Sequence, residues 1–338
     1  MKNISVKTIS AIALAVATLA ASSAMAQDDR NIKLGHGISE DHPLGQGANK
    51  FTEIMTRLSK GKMKVKVFPS TQLGSETQMI AALRGGVQEM AIVSSAPVAT
   101  LSKDFMVFDL PFLFQSNKEA DAVLDGAVGQ RLLDGLREKN MIGLCYWENG
   151  FRNVTNSQRA IVKAEDLSGL KLRVMQNPVY IDSFKTMGAN AVPMPFTELF
   201  TALETKAMDA QENPVAIIYT SKFYEVQKYM TLTKHAYAPY VVLVSKNFWE
   251  KLSSEEQGAL RQGCTEARDF QRTLNRKMET QQIEQLKSQK MIVSELGVGE
   301  ADKLRAKLKP VTDRFTQEIG AQTVADVQRE IAKVRGNN

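Results

Sequence analysis

Apolar and polar positions along this chain follow two periods that take turns, near 2 in short runs and near 3.6 in the stretches between them. Asn31 to Gly37 reads as a first strand. A polar turn with His42-Pro43 leads into a helix over Gln46 to Ser59, with Phe51, Ile54, Met55 and Leu58 on one face. Lys64 to Phe68 predicts a second strand, and Lys60, Lys62, Lys64 and Lys66, alternating with Gly61, Met63 and Val65, form its solvent side. Ser75 to Arg84 is a helix ended by Gly85-Gly86, followed by a short apolar strand over Met90 to Val93. Such alternation implies parallel βαβ units.

The same phrase returns as a helix near Glu198 to Thr205, a brief turn and a strand over Ala207 to Gln211. Leu83 and Glu89 lie six positions apart at one helix-to-strand transition, and Leu203 and Asp209 share that spacing at the other. This is a faint echo between two similarly built lobes. Beyond Asn247 the chain changes character. Ser253-Ser254-Glu255-Glu256 opens a long polar helical tract, in capping-box form, running to about Gln289. Its Lys and Arg residues read as solvated helix faces. Met291 to Ser294 and a helix from Glu300 follow.

The amino terminus places the protein. Lys2 and Lys7 precede an apolar, Ala-rich stretch from Ile9 to Ala21, and Ala24-Met25-Ala26 supplies small residues at a cleavage position. Residues 1–26 are predicted to be a secretory signal peptide, cleaved after Ala26, which makes the mature chain periplasmic in a cell with two membranes. The formal net charge is +6, of which those two lysines contribute part, and no basic run concentrates the rest. Nucleic-acid binding is therefore not expected, and a mild cationic field that favours anionic solutes is the simpler use. Cys145 and Cys264 are the only cysteines. A disulfide and a pair of buried thiols are both open readings.

Few residues here suit catalysis. His36, His42 and His235 are the only histidines, and the spacing of the first two across Glu40-Asp41 reads as a polar turn before it reads as a metal site. There is no nucleophile elbow, phosphate loop or dinucleotide fingerprint, so no cofactor and no enzyme activity are expected. Binding residues accumulate instead at three strand endings. Gly169 to Val174 alternates, with Leu170, Leu172 and Val174 on a buried face and Lys171 and Arg173 on the other, and it runs out at Met175-Gln176-Asn177-Pro178. Tyr146-Trp147-Glu148-Asn149-Gly150-Phe151-Arg152 follows a hydrophobic strand. Gln211-Glu212-Asn213-Pro214 ends the Ala207 strand. In open α/β folds ligands collect beyond the carboxyl ends of strands. Two guanidiniums and an amide converging there describe a site for a small, hydroxylated anion, gripped by the planar fork of Arg173.

Pro69 to Gly74, Asn149 to Arg152, Gly169 to Val174, Gln211 to Pro214 and Lys222 to Lys228, in that order, resemble the solute-receptor subunits of tripartite ATP-independent periplasmic (TRAP) transporters, the DctP family. The resemblance runs from about Ile32 to the last helices. It implies an α/β, two-lobed periplasmic binding protein fold, with lobes joined by crossing strands and long helices. Lobe 1 would hold residues 27–149 and 239–278, and lobe 2 residues 150–238 and 279–338. The family's carboxylate-pairing arginine falls on Arg173, its second cleft arginine on Arg152 and its asparagine on Asn213. Glu76 matches an acidic acceptor for solute hydroxyls, Phe196 an apolar wall, and Ser94 a position that is acidic in sialic-acid binders. Asn149 and His36 complete the expected site. The implied function is capture of a small carboxylate solute, favouring a sugar acid such as a hexuronate over an oxo acid or C4-dicarboxylate. The implied partners are the small and large TRAP membrane subunits, served by a monomer. A secreted enzyme on a similar scaffold, or a receptor for another importer or a sensor, are the competing classes.

Overall fold

The computed structural model describes residues 29–336. The predicted signal peptide lies outside them. Nine strands form one sheet: β1 (Arg30–His36), β2 (Met63–Phe68), β3 (Met90–Ser94), β4 (Met141–Asn156), β5 (Lys171–Val174), β6 (Asn190–Pro193), β7 (Ala210–Pro214), β8 (Tyr229–Ser245) and β9 (Ile292–Glu295). Their order is β2-β1-β3-β8-β4-β7-β5-β6, whose two halves mirror one another, and β9 is added on β8 alone. On one side β1 pairs in parallel with β2 and β3, and β3 meets β8 antiparallel. On the other, β5 pairs in parallel with β6 and β7, and β7 meets β4 antiparallel. β4 and β8 join the halves back to back.

The echo between Glu89 and Asp209 has a structural basis. Glu89, just before β3, accepts the backbone N–H of Lys33 at 2.9 Å. Asp209, just before β7, accepts the backbone N–H of Lys171 at 2.9 Å. Each carboxylate staples the start of its strand to the neighbouring strand, and the lysine ammoniums reach matching carbonyls, Val87 at 3.0 Å and Lys206 at 3.4 Å.

Helices cover both faces. Alternate residues of β4 and β8 enter different buried clusters, Tyr146, Val241 and Leu243 on one face and Trp147, Tyr240 and Val242 on the other. The helices Pro43–Leu58 and Ser254–Ser288 pack on the second face, and Lys309–Ile319 and Ala321–Val334 contribute to the first. Pro43–Leu58 begins earlier than predicted because His42 caps it, its Nδ1 accepting the Leu44 N–H at 2.9 Å with Pro43 in the first turn. Ser253 and Glu256 form the predicted capping box.

Three expectations are corrected. The Tyr146–Arg152 segment is not a strand ending. β4 runs on to Asn156, because register shifts between Gly143/Cys145, Glu148/Gly150 and Arg152/Val154 absorb its irregular residues. Gly150 supplies the φ of 118° that such a bulge needs. Likewise Gln211 to Pro214 is the body of β7 and not its end, since Lys206, at φ 60°, turns the chain and the strand starts at Ala210. Thirdly, the long helix does not leave all its arginines in solvent. Arg272 bonds Asp125 at 2.6 Å, and Arg276 bonds Asp121 at 2.7 Å and Glu148 at 2.6 Å. Glu148, buried in β4, also receives Asn275 at 2.9 Å and the Tyr237 hydroxyl at 3.1 Å. Gln271 closes the contact by bonding both the N–H and the carbonyl of Glu148, at 2.9 and 2.7 Å. A buried carboxylate on a crossing strand demands such partners. Between the two open cysteine readings, the structure has Cys145 and Cys264 disulfide-bonded, which ties β4 to the same helix.

Candidate functional site

The carboxyl ends of β1, β3 and β5 and the face of β7 surround a narrow cleft. Six of the eight sequence-predicted residues line it: Glu76, Ser94, Asn149, Arg173, Phe196 and Asn213. A larger, more open depression of about 700 Å³ lies between Leu110–Leu113 and the last helices, and none of the eight lines it.

Arg173 does not share a solvent face with Lys171. Lys171 is exposed, whereas Arg173 is only 2% exposed. Its Nε donates to the carbonyl of Met194 at 2.9 Å, and among the described residues no carboxylate forms an ion pair with it. Burial pulls the guanidinium down to about 10, helped by like charge on Arg152 and opposed by Glu212 and Glu76. At neutral pH it is still a cation, buried and without an ion-pair partner among the described residues. Such a charge is costly to leave unpaired.

Arg152 is differently placed. It is fully buried, forms a forked ion pair with Glu212 whose second bond measures 2.8 Å, and reaches Asn213 Oδ1 at 3.1 Å. It does not line the cleft. Burial would push the Glu212 carboxyl up, but the Arg152 charge and the His235 bond at 3.1 Å outweigh it and hold Glu212 at about 2. Arg152 is therefore largely neutralised from within.

Glu76 opens the helix Glu76–Gly85, and its Oε1 accepts both the N–H and the hydroxyl of Ser94, at 2.7 and 2.9 Å. Burial raises its pKa, while the Ser94 bonds and the charges of Arg173 and Arg152 pull it back. His36 is buried beside the cleft without lining it. Its Nδ1 accepts the Ile38 N–H at 3.4 Å, and burial lowers it to about 4. Among the described residues no His, Cys, Asp and Glu side chains gather as metal ligands.

Sequence reasoning missed Thr71, Thr197 and Tyr240, which also line the cleft. Tyr240 lies on β8 opposite both Ser94 and Trp147, a position fixed by antiparallel pairing across the middle of the sheet. Its hydroxyl and the Asn149 Oδ1 are buried without a hydrogen-bond partner among the described residues. Buried polar atoms are rarely left so. The cleft thus offers one unpaired cation, one carboxylate and unpartnered polar groups beside the apolar walls of Phe196 and Ile217.

Residues 34–318 match the family model for bacterial extracellular solute-binding proteins, family 7, DctP. The chain is 41% identical to the 2,3-diketo-L-gulonate-binding periplasmic protein YiaO of Escherichia coli, over 78% of this chain and 80% of that one. It superposes, with a TM-score of 0.89 and 48% identity, on the sugar acid binding protein DctPAm of Advenella mimigardefordensis in complex with galactonate, covering 90% of this chain and 99% of the other. A TRAP periplasmic solute-binding protein of Polaromonas bound to D-erythronate gives a TM-score of 0.86 at 38% identity, over 89% and 98% of the two chains. The fold is thus the two-lobed α/β periplasmic binding protein fold, and the chain belongs to family 7 of the bacterial extracellular solute-binding proteins.

Proposed function

We propose that this chain is the periplasmic receptor of a TRAP transporter and captures an open-chain sugar acid, with the solute carboxylate paired to Arg173. The observation that carries this reading is the buried, ion-pair-free guanidinium of Arg173 in a cleft lined by Glu76, Ser94, Asn149 and Asn213. A carboxylate arriving there gains two charge-assisted bonds and relieves an uncompensated charge. Glu76, Asn149 and Tyr240 then serve hydroxyls along the rest of the solute, and Phe196 packs on its carbon chain.

One carboxylate suits the site better than two. Arg152, which would serve the second, is already held by Glu212, and Glu76 offers acceptor oxygens and no cation to an anion at the far end. The three relatives named above are described with galactonate, D-erythronate and 2,3-diketo-L-gulonate, all open-chain acids. That favours aldonate-like solutes over hexuronates.

Capture proceeds by closure of two lobes, residues 27–149 with 239–278 and residues 150–238 with 279–338. The boundaries fall inside β4, β8 and the long helix, continuous elements suited to bend as hinges. The monomeric, loaded receptor then delivers its cargo to the small and large membrane subunits. Among the described residues no helix is long and apolar enough to cross a membrane. A thermal-shift screen over galactonate, erythronate, glucuronate, succinate and neutral sugars tests the reading. Sugar acids should raise the melting temperature by mass action. A shift with neutral sugars alone would refute it.

A further inference from the structure

Just beyond Arg173 the chain leaves β5 and enters the helix Pro178–Thr186 through Asn177, which is 1% exposed. Its side chain works in two directions. Oδ1 accepts the Val179 N–H at 2.8 Å, which caps the helix. Nδ2 points the other way, donating to Asp109 Oδ2 at 2.9 Å and reaching the Ala96 carbonyl at 3.3 Å. Ala96 belongs to the turn of helix that follows Ser94, and Asp109 ends the 3-10 helix Lys103–Asp109. One side chain therefore joins the backbone leaving the Arg173 strand to the backbone leaving the Ser94 strand. A cap needs only an oxygen. The amide nitrogen is surplus to that task, and it spans the two halves of the sheet.

We infer that Asn177 is a positioning residue that locks the two halves of the receptor together in the solute-loaded form. The inference rests on the proposed closure of two lobes over an acid. Parting the halves separates Nδ2 from Asp109 and Ala96, and leaves a buried acidic side chain without its donor. Closure restores both bonds where water is excluded. The lock thus acts on release of the solute and not on its first encounter.

The test uses stopped-flow binding of galactonate to the mature protein. Asn177→Ser keeps a hydroxyl to cap the helix and removes the crossing donor. It should leave the association rate and the melting temperature of the free protein near those of wild type, and raise the dissociation rate about ten-fold. Asp109→Ala should raise the dissociation rate to the same extent, the double variant should add nothing further, and Asp109→Asn, which keeps the acceptor, should dissociate like wild type. A dissociation rate unchanged in Asn177→Ser, or effects of the two sites that simply add, would reduce Asn177 to a helix cap and overturn the inference while leaving the receptor reading intact. A wild-type protein that binds no acid from the screen would instead overturn the receptor reading, and the lock with it.

Discussion

The Nε of Arg173 donates to the backbone carbonyl of Met194 at 2.9 Å, so one edge of the guanidinium is fixed by the loop after β6. That bond sets the plane of the fork and reserves the terminal nitrogens for the cleft. Arg173→Ala should cost roughly 2–5 kcal/mol of binding, by analogy with truncating one partner of a buried charge pair. This is about thirty-fold to several thousand-fold in Kd for galactonate. Arg173→Lys should recover only a fraction, because an ammonium cannot grip a carboxylate with two parallel bonds and lacks the Nε that Met194 holds. Calorimetric titration of the three proteins measures both effects.

Glu76 should act as a filter. Its Oε1 already accepts a hydroxyl, that of Ser94 at 2.9 Å, and its side chain brings no positive charge to meet a second anion. Glu76→Gln is predicted to weaken galactonate and to strengthen succinate, so the ratio of the two affinities falls by about ten-fold or more. Equal losses for both solutes would show that Glu76 only supports Ser94.

Stability should peak at mildly acidic pH, because two buried acids pull in opposite directions. Burial raises Asp109 from 3.8 to about 8, against the attraction of Arg152. An acid whose folded pKa exceeds its unfolded one holds its proton in the fold, so stability falls as pH climbs between those values. Glu212, held at about 2 against an ordinary 4.5, behaves oppositely. Its contribution is complete above the unfolded value and is lost as pH drops toward 2. Melting temperatures of wild type and Asp109→Asn between pH 6.5 and 8, above the range in which the buried His36 and His42 gain stability with rising pH, check the first part: the wild-type decline should flatten in the variant.

The disulfide closes a loop of 119 residues between β4 and the long helix. Its reduction is predicted to destabilise the fold by about 2–5 kcal/mol. The bond lies away from the cleft lining, so solute preference should survive. Melting curves and galactonate titrations with and without reductant separate the two.

The local parts of this fold were legible and the long-range parts were not. The elements from β1 to β3 and the capped long helix follow from periodicity, His42-Pro43 and Ser253 to Glu256, all of which act within a few residues. Glu89 and Asp209 could be matched by spacing alone, because each repeats one local job at the start of a strand. β4 was cut short since Asn149-Gly150 is a turn signal in isolation. Only its pairing with β8 and β7 converts that signal into a bulge. The site shows the same division. Strand alternation put Lys171 and Arg173 together, and the burial of Arg173, with its bond to the Met194 carbonyl, separated them. Glu212 neutralises Arg152 from 60 residues away, a partnership no local pattern encodes.

The most direct test is a crystal structure of the mature protein grown with galactonate. The carboxylate should lie within about 3 Å of both terminal nitrogens of Arg173, with Glu76 on a hydroxyl further along the chain. An acid whose carboxylate rests elsewhere, while Arg173 turns to a protein carboxylate or to bulk water, would contradict the account.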